Sequence, residues 1–270
     1  MRTRAFRWLV NAYVALFMIF MLAPLFFVIV NSFNEARFST FPPPGLSLQW
    51  YGRLFTIPDV FVAFRNSAII AVLSTFLGVV LGTFAALAFV RGRLAREQVI
   101  QSLLLSPLLV PKIIIGIAIF IAAIRVGLYP SFTSIVLSHT VIILPYVVTI
   151  VVANLHQVDR AQEEAATDLG AGPFQTFRLA TVPQIQRGIL LAAVFSFTLS
   201  FDEFDVSLFL TRAENMTLPI RMYLYMQEFE DPTLAALSTL LIGISAIATA
   251  LLAWLSRGMS VGALIGSARR

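Results

Sequence analysis

The chain has 270 residues, of which 59% are hydrophobic and only 12% are charged, with a mean hydropathy of +0.87. Soluble domains are about one quarter charged and at most half apolar, so this composition excludes a water-soluble fold and predicts a protein that folds in lipid. The absence of cysteine excludes disulfides and thiolate metal sites, and the two histidines lie too far apart in sequence to predict a metal site. The net charge of +5 comes from arginines at membrane boundaries, so we expect no nucleic-acid partner.

Six segments of the chain are predicted to cross the membrane, because each has about 20 apolar residues with few strong charges. The predicted spans are residues 8–30, 67–90, 99–124, 132–155, 188–210 and 233–255. The sequence shows no internal repeat and no low-complexity segment, so residues 1–270 are expected to form a single membrane domain. The sequence therefore predicts an all-α fold with six transmembrane helices.

The placement of arginines predicts that both termini lie in the cytoplasm. In that orientation the cytoplasmic side holds twelve arginines and the longer outer segments hold six, as the positive-inside rule requires. No small-residue cleavage site follows the first span, so we expect this span to be retained rather than removed as a signal peptide. The cytoplasmic arginines would be Arg2, Arg4, Arg7, Arg91, Arg93, Arg96, Arg160, Arg178, Arg187, Arg257, Arg269 and Arg270.

Residues 156–187, between the fourth and fifth spans, carry the pattern of two short cytoplasmic helices. Asp159 is a good N-cap for the first helix, and Gly170 is placed to end it in a left-handed conformation. Pro173 is a favoured first residue for the second helix, which we expect to stop at Pro183. On helix chemistry alone, an ordinary amphipathic connector between two spans explains this pattern equally well.

The same loop resembles the EAA loop of binding-protein-dependent ABC importer permeases. The match consists of Glu164-Ala165-Ala166, three further residues, Gly170, nine residues, and then Ala180-Thr181-Val182-Pro183. The family has isoleucine and leucine where this chain has Ala180 and Val182, and both positions stay apolar. The resemblance implies a type I ABC importer permease whose short helix docks into a groove on a separate ATPase subunit. The implied docking residues are Glu164, the polar contact, Gly170, the hinge, and Ala165, Ala166, Asp168, Ala171 and Pro183.

The chain contains no G-x-x-x-x-G-K-[ST] sequence and therefore no P-loop. We expect no cofactor on this chain, with ATP and magnesium bound by the partner ATPase. The resemblance implies a complex in the bacterial inner membrane, surrounded by the lipid bilayer. Its other components would be a second homologous permease, two ATPase subunits and a soluble substrate-binding protein. No covalent chemistry is expected on this chain.

A second resemblance, to spermidine/putrescine permeases, covers most of the chain. It implies transport of a small charged organic solute, either polyamine-like or an amino, carboxylate or phosphonate compound. The matching segments are Asn31-Ser32-Phe33-Asn34, Gly45-Leu46-Ser47-Leu48-Gln49-Trp50-Tyr51 and Leu199-Ser200-Phe201-Asp202-Glu203-Phe204.

Charged residues at membrane depth are the candidates for the solute pathway. Asp202 and Glu203 would attract a cation, unless the fifth span is short and they belong to an outer loop. Lys112 follows Pro111, at a position where polyamine permeases commonly carry an acidic residue. A lysine that lines the pathway would repel a diamine and attract a carboxylate or phosphonate. Otherwise Lys112 snorkels or pairs with a carboxylate of the partner permease.

Two other classes of protein compete with the ABC importer. An ion-gradient-driven secondary transporter would use Lys112 and Asp202 as coupling sites, but six spans without a visible repeat argue against it. An intramembrane enzyme would need a nucleophile–base or metal-ligand constellation, and the sequence shows none.

Overall fold

The computed structural model describes residues 2–92 and 96–247, with side chains described from residue 6 onward. The described residues form helices joined by turns, with one isolated antiparallel bridge between Asn34 and Leu46. Two compact units are present, Met1–Pro58 with Leu224–Arg270, and Asp59–Tyr223. The helices are α1 Arg2–Ser32, α2 Gln49–Leu54, α3 Val60–Arg91, α4 Glu97–Leu105, α5 Lys112–Arg125, α6 Phe132–Leu155, α7 Arg160–Asp168, α8 Pro173–Thr176, α9 Val182–Phe201, α10 Ser207–Leu210, α11 Leu218–Glu228 and α12 Thr233–Ile247.

Three of the predicted spans correspond to single long helices. α1 and α3 extend beyond the predicted residues 8–30 and 67–90, and α6 has the same bounds as the predicted span 132–155. By length and composition, four helices of the described residues can cross a membrane, or five if the bent pair described below counts as one span. α12 is followed only to Ile247, so the rest of the predicted span 233–255 lies outside the described residues.

The arginines at positions 93, 257, 269 and 270 also lie outside the described residues. The count of six spans and the cytoplasmic placement of both termini therefore stay predictions.

The third predicted span, residues 99–124, is broken in the structure rather than continuous. α4 continues into a 3₁₀ turn over Ser106–Leu108, and α5 then leaves at an angle of 105°. Pro111 explains the break, because it has extended backbone geometry, with φ −54° and ψ 130°, and its ring disfavours a helical conformation at the preceding residue. Lys112 is consequently the first residue of α5.

The fifth predicted span, residues 188–210, begins much earlier and ends sooner than expected. A π-helical turn over Phe177–Thr181 joins α8 to α9, so one helix runs over Pro173–Phe201. The predicted stop at Pro183 is therefore wrong. The i→i+5 bonding of the π turn accommodates a proline, which lacks an amide hydrogen and would crowd an α-helical carbonyl.

The core of the Asp59–Tyr223 unit lies between α3, α6 and α9, each of which packs against the other two. α6 is central, because 61% of its apolar window is buried against 33% for α3 and 22% for the helix Pro173–Phe201. The Ser74 hydroxyl of α3 donates a 3.0 Å hydrogen bond to the Val136 carbonyl of α6. Gly78 and Gly82 let the two helices approach closely, since a β-carbon at either position would meet Ile143 or Val147 of α6 within 2.7 Å.

Replacement of Gly82 by alanine is expected to destabilise the packing of α3 on α6. The added methyl group would lie 2.5 Å from Val147 Cγ1, and valine is too stiff at χ1 to move aside cheaply. We expect a loss of about 1–3 kcal/mol, seen as a lower melting temperature of the detergent-solubilised chain. Gly52→Ala is the matched control, because a β-carbon there meets no atom within 4 Å. Equal melting of Gly82→Ala and wild type would contradict this packing.

Candidate functional site

The first helix of the 156–187 loop begins and ends at the residues that the sequence predicts. The Asp159 carboxylate accepts a 3.0 Å hydrogen bond from the Ala161 amide and so caps α7. Gly170 has φ +89°, the left-handed conformation that favours glycine. Its amide donates to the Thr167 carbonyl and the Ala171 amide donates to the Ala166 carbonyl, the two bonds of a Schellman motif. The loop geometry around α7 is therefore fixed by local hydrogen bonds.

The second half of the loop starts one turn later and leads directly into the fifth span. Gly172 is the N-cap and Pro173 the first residue of α8, as predicted. The Gln175 side chain accepts a 3.1 Å hydrogen bond from the Gly172 amide and closes this turn. Because the helix is then continuous to Phe201, α7 is joined by one short turn to a membrane span.

The predicted docking residues lie on the accessible side of this loop. Exposed residues are Glu164, Ala165, Asp168, Gly170 and Pro183, while Ala166 and Ala171 are half-buried. Two large apolar side chains that the sequence analysis did not single out, Leu169 and Phe174, flank the glycine turn and are 90% and 70% exposed. Their position in the sequence, on either side of Gly170, was the signal by which they could have been predicted. Small, acidic and apolar residues are therefore accessible around the turn. We call the surface that they form the loop surface; its exposed residues are Glu164, Ala165, Asp168, Leu169, Gly170 and Phe174.

Glu163, the neighbour of Glu164, attaches α7 to the rest of the unit. Its carboxylate lies 3.0 Å from Arg91 Nε, accepts a 3.3 Å hydrogen bond from Arg91 Nη2, and accepts a 2.7 Å hydrogen bond from the Thr181 hydroxyl. Arg160 adds a 3.1 Å hydrogen bond to the Val90 carbonyl. Successive side chains on a helix point about 100° apart, so one glutamate faces inward while the other stays exposed. This role of Glu163 was not predicted from the sequence.

A cavity of about 650 Å³ lies between α3 and the loop, inside the Asp59–Tyr223 unit. Its walls include Phe84 and Leu87 of α3, Phe174 and Phe177 of the second half of the loop, and the Arg91–Glu163 pair. The rings of Phe84 and Phe177 pack with centroids 5.9 Å apart. The loop is thus held to α3 by ionic, polar and aromatic contacts around an open, mostly apolar space.

Two of the three predicted pathway residues meet far from the loop, at the other end of α9. Lys112 Nζ donates a 2.7 Å hydrogen bond to Glu203 Oε2. The Glu203 side chain is 1% exposed and that of Lys112 is 34% exposed. Asp202, the third predicted pathway residue, is exposed and directly follows Phe201, the last residue of α9. Lys112 therefore pairs with a carboxylate of its own chain, which the sequence analysis did not predict.

The segment that carries Glu203 is non-helical but well held. His139 of α6 is buried, and its ring nitrogens lie 2.8 Å from the Ser200 hydroxyl and 2.9 Å from the Ser207 hydroxyl. These serines lie on either side of residues 202–206. Gly116 of α5 packs against the same segment, where a β-carbon would lie 3.1 Å from Val206 Cα. Residues of α5, α6, α9 and α10 therefore fix the position of the Lys112–Glu203 pair.

Residues 78–261 match the protein family described as the inner membrane component of binding-protein-dependent transport systems. Because this match covers more than half of the chain, the chain belongs to that family. It is accordingly a multi-pass inner-membrane protein and the permease subunit of an ABC importer. The family assignment confirms the prediction of a transport subunit that is not an enzyme.

The chain is similar along most of its length to named permeases. The spermidine/putrescine transport system permease protein PotC of Escherichia coli K12 is 31% identical over 224 residues, covering 83% of this chain and 84% of PotC. The putrescine transport system permease protein PotI of the same strain is 31% identical over 242 residues, covering 87% and 85%. The sulfoquinovosyl glycerol transport system permease protein SmoH of Agrobacterium fabrum is 27% identical and covers 91% and 89%. The resemblance to polyamine permeases is therefore confirmed.

Solved structures share the fold. A bacterial ABC transporter involved in the import of the acidic polysaccharide alginate aligns with a TM-score of 0.74 and 15% identity, covering 93% of this chain and 97% of that chain. An amino acid ABC transporter aligns with a TM-score of 0.58 and 20% identity, covering 77% and 98%. At these identities the likeness shows the fold alone, and it confirms an all-helical architecture shared with ABC transporters.

Replacement of Glu163 by glutamine is expected to loosen α7. The amide cannot pair ionically with Arg91, and hydrogen bonds to charged groups contribute about 1.5–3 kcal/mol. We expect backbone amides of α7 to exchange hydrogen roughly tenfold faster, as measured by mass spectrometry on the isolated chain. Glu164→Gln is the matched control, since this exposed neighbour makes no contact with Arg91 among the interactions described above. Unchanged exchange in Glu163→Gln would rule out the proposed attachment.

Proposed function

We propose that this chain forms one half of the translocation pathway of an ATP-driven importer for a small charged organic solute. A soluble binding protein delivers the solute, and a second homologous permease supplies the other half of the pathway. Two ATPase subunits bind ATP and magnesium, so this chain needs no cofactor of its own. The observation that carries the proposal is the loop surface, which is locally rigid, accessible and continuous with a membrane span.

The ATPase subunit would contact the loop surface through its small and acidic residues. Glu164 and Asp168 are exposed carboxylates that can pair with basic residues in a groove, and Ala165 and Gly170 allow a close backbone approach. Leu169 adds an exposed apolar side chain that docking would remove from water. The charged residues of the loop would set the register of ATPase docking, and its apolar area would contribute to the binding affinity.

Motion of the docked ATPase would reach the membrane by two routes. One route is the helix Pro173–Phe201, which runs from the loop to the residue before Asp202. The other is the Glu163–Arg91 pair, which joins α7 to the end of α3. Both routes support a rigid-body tilt of spans in response to ATP binding and hydrolysis, with both termini and the loop in the cytoplasm.

The solute class is supported by the relatives and by the charges of the chain. PotC is named for spermidine/putrescine transport, and PotI is named for putrescine transport. Asp202 and Glu203 supply carboxylates at the end of a span, whereas Lys112 supplies a cation at the break before α5. A polyamine-like solute and an amino, carboxylate or phosphonate compound are both compatible with this set of charges.

Reconstitution with a co-expressed ATPase tests the proposed function. We expect the tagged chain to co-purify with a P-loop ATPase in mild detergent and to support solute uptake into vesicles only when ATP is present. Uptake that persists without ATP, from a preparation that contains no ATPase, would refute the proposal and favour a secondary transporter.

Replacement of Gly170 by alanine is expected to weaken ATPase binding. A left-handed conformation costs a residue with a β-carbon about 1–2 kcal/mol, so the turn should rearrange and displace the loop surface. We expect roughly tenfold less ATPase to co-purify, since 1.4 kcal/mol corresponds to a factor of ten.

Gly172→Ala is the matched control for Gly170→Ala. Gly172 has φ −69°, and a β-carbon at either glycine meets no atom within 4 Å, so the two substitutions differ in backbone strain alone. The control should retain the ATPase. Equal retention by both variants would show that the left-handed turn does not position the docking residues.

A further inference from the structure

We infer that Glu203 forms a binding site for a primary alkylammonium group, and that Lys112 fills this site permanently with a tethered ammonium. The chemistry of this site is independent of the ATPase. Its consequence for solute selection rests on the function proposed above. A solute ammonium would then be excluded from Glu203 in the wild-type chain, and removal of the Lys112 side chain would open the site.

The Glu203 carboxylate is buried. Its side chain is 1% exposed, and an ionised carboxylate removed from water is strongly destabilising unless a cation and hydrogen-bond donors surround it. Lys112 supplies the cation at 2.7 Å from Oε2, and the Val206 amide donates a weak 3.4 Å hydrogen bond to Oε1. The surroundings of the Glu203 carboxylate therefore suit the binding of an ammonium group.

The backbone around this ion pair is irregular. Two irregular segments, residues 109–111 and 202–206, meet at this ion pair. Within a membrane, irregular backbone is tolerated where it is buried in protein or lines a water-filled cavity. Lys112 is 34% exposed, so the site is approached from the side on which the lysine lies. An ammonium group of a solute would have to arrive by the same side.

The segment that carries Glu203 is held by contacts that do not depend on Lys112. His139 lies within hydrogen-bonding distance of Ser200 and Ser207, which flank the segment that carries Glu203. Gly116 packs against Val206 in the same segment. These contacts do not involve Lys112, so Glu203 should keep its place in a Lys112→Ala variant. That variant lacks three methylene groups and the ammonium, which together have the size of n-propylammonium.

Chemical rescue of Lys112→Ala tests the alkylammonium site without an ATPase. We expect its melting temperature in nanodiscs to fall by roughly 10 °C, because Glu203 is left buried without a counter-ion. Millimolar n-propylammonium should recover at least half of that loss, and propionate at the same ionic strength should recover none. Recovery by propionate, or none by n-propylammonium, would overturn the proposal.

Lys112→Ala/Glu203→Gln is the matched control, since it removes both charges. We expect it to melt near the wild-type temperature and to be insensitive to n-propylammonium. An equal response of the double variant to the amine would mean that the amine acts elsewhere, and the proposal would fail. If Lys112→Ala does not accumulate, its yield from cells grown with n-propylammonium replaces the melting assay, and no recovery of yield overturns the site.

Binding of radiolabelled putrescine tests the consequence for solute selection. We expect Lys112→Ala in nanodiscs to bind at least tenfold more putrescine than wild type, and the double variant to bind no more than wild type. Equal binding by wild type and Lys112→Ala would show that Lys112 does not exclude diamines. Loss of ATP dependence in vesicles would instead count against the proposed importer function, so the two failures are distinguishable.

Discussion

Inside a lipid bilayer no water is available to satisfy a backbone amide or a charged side chain, so each such group needs a partner in the protein. α3, α6 and α9 meet this constraint as regular helices that pack on one another. Residues 109–111 and 202–206 leave the helical conformation, and the structure compensates with an ion pair and a buried histidine that lies between two serine hydroxyls. Residues 109–111 and 202–206 therefore form an ordered region that these contacts hold in place.

The helix Pro173–Phe201 connects this ordered region with the loop surface. Its 29 residues would span roughly 40 Å at a rise of 1.5 Å per residue. A proline in a helix interior costs about 3 kcal/mol when it breaks the bonding pattern, and the π turn over Phe177–Thr181 provides a way to keep Pro183 without ending the helix. The helix consequently stays continuous: it begins at the proposed ATPase contact and ends one residue before Asp202.

Local signals in the sequence predicted the parts of the structure that depend on neighbouring residues. Asp159 and Gly170 define the ends of α7 through capping and backbone freedom, which are encoded within a few positions. The pairings of Lys112 with Glu203 and of Arg91 with Glu163 join residues far apart in the chain. The choice of partner depends on how helices pack, so hydropathy and spacing could single out Arg91, Lys112 and Glu203 but not the residues with which they pair. The role of Pro183 was missed because a π turn has no simple sequence pattern.

Similarity over most of the chain supports the architecture of an importer more strongly than it supports the identity of the solute. Apolar positions along a span serve any cargo, whereas one charge in the pathway can decide which cargo is accepted. Two unit charges 4 Å apart interact by about 4 kcal/mol at an effective dielectric constant of 20. In the proposal made above, pairing of Glu203 with Lys112 would remove an attraction of that order for an incoming ammonium, before the cost of removing both charges from water is counted. On this proposal, a permease would keep the fold of polyamine permeases while a single lysine changed the charge that its pathway offers to the solute.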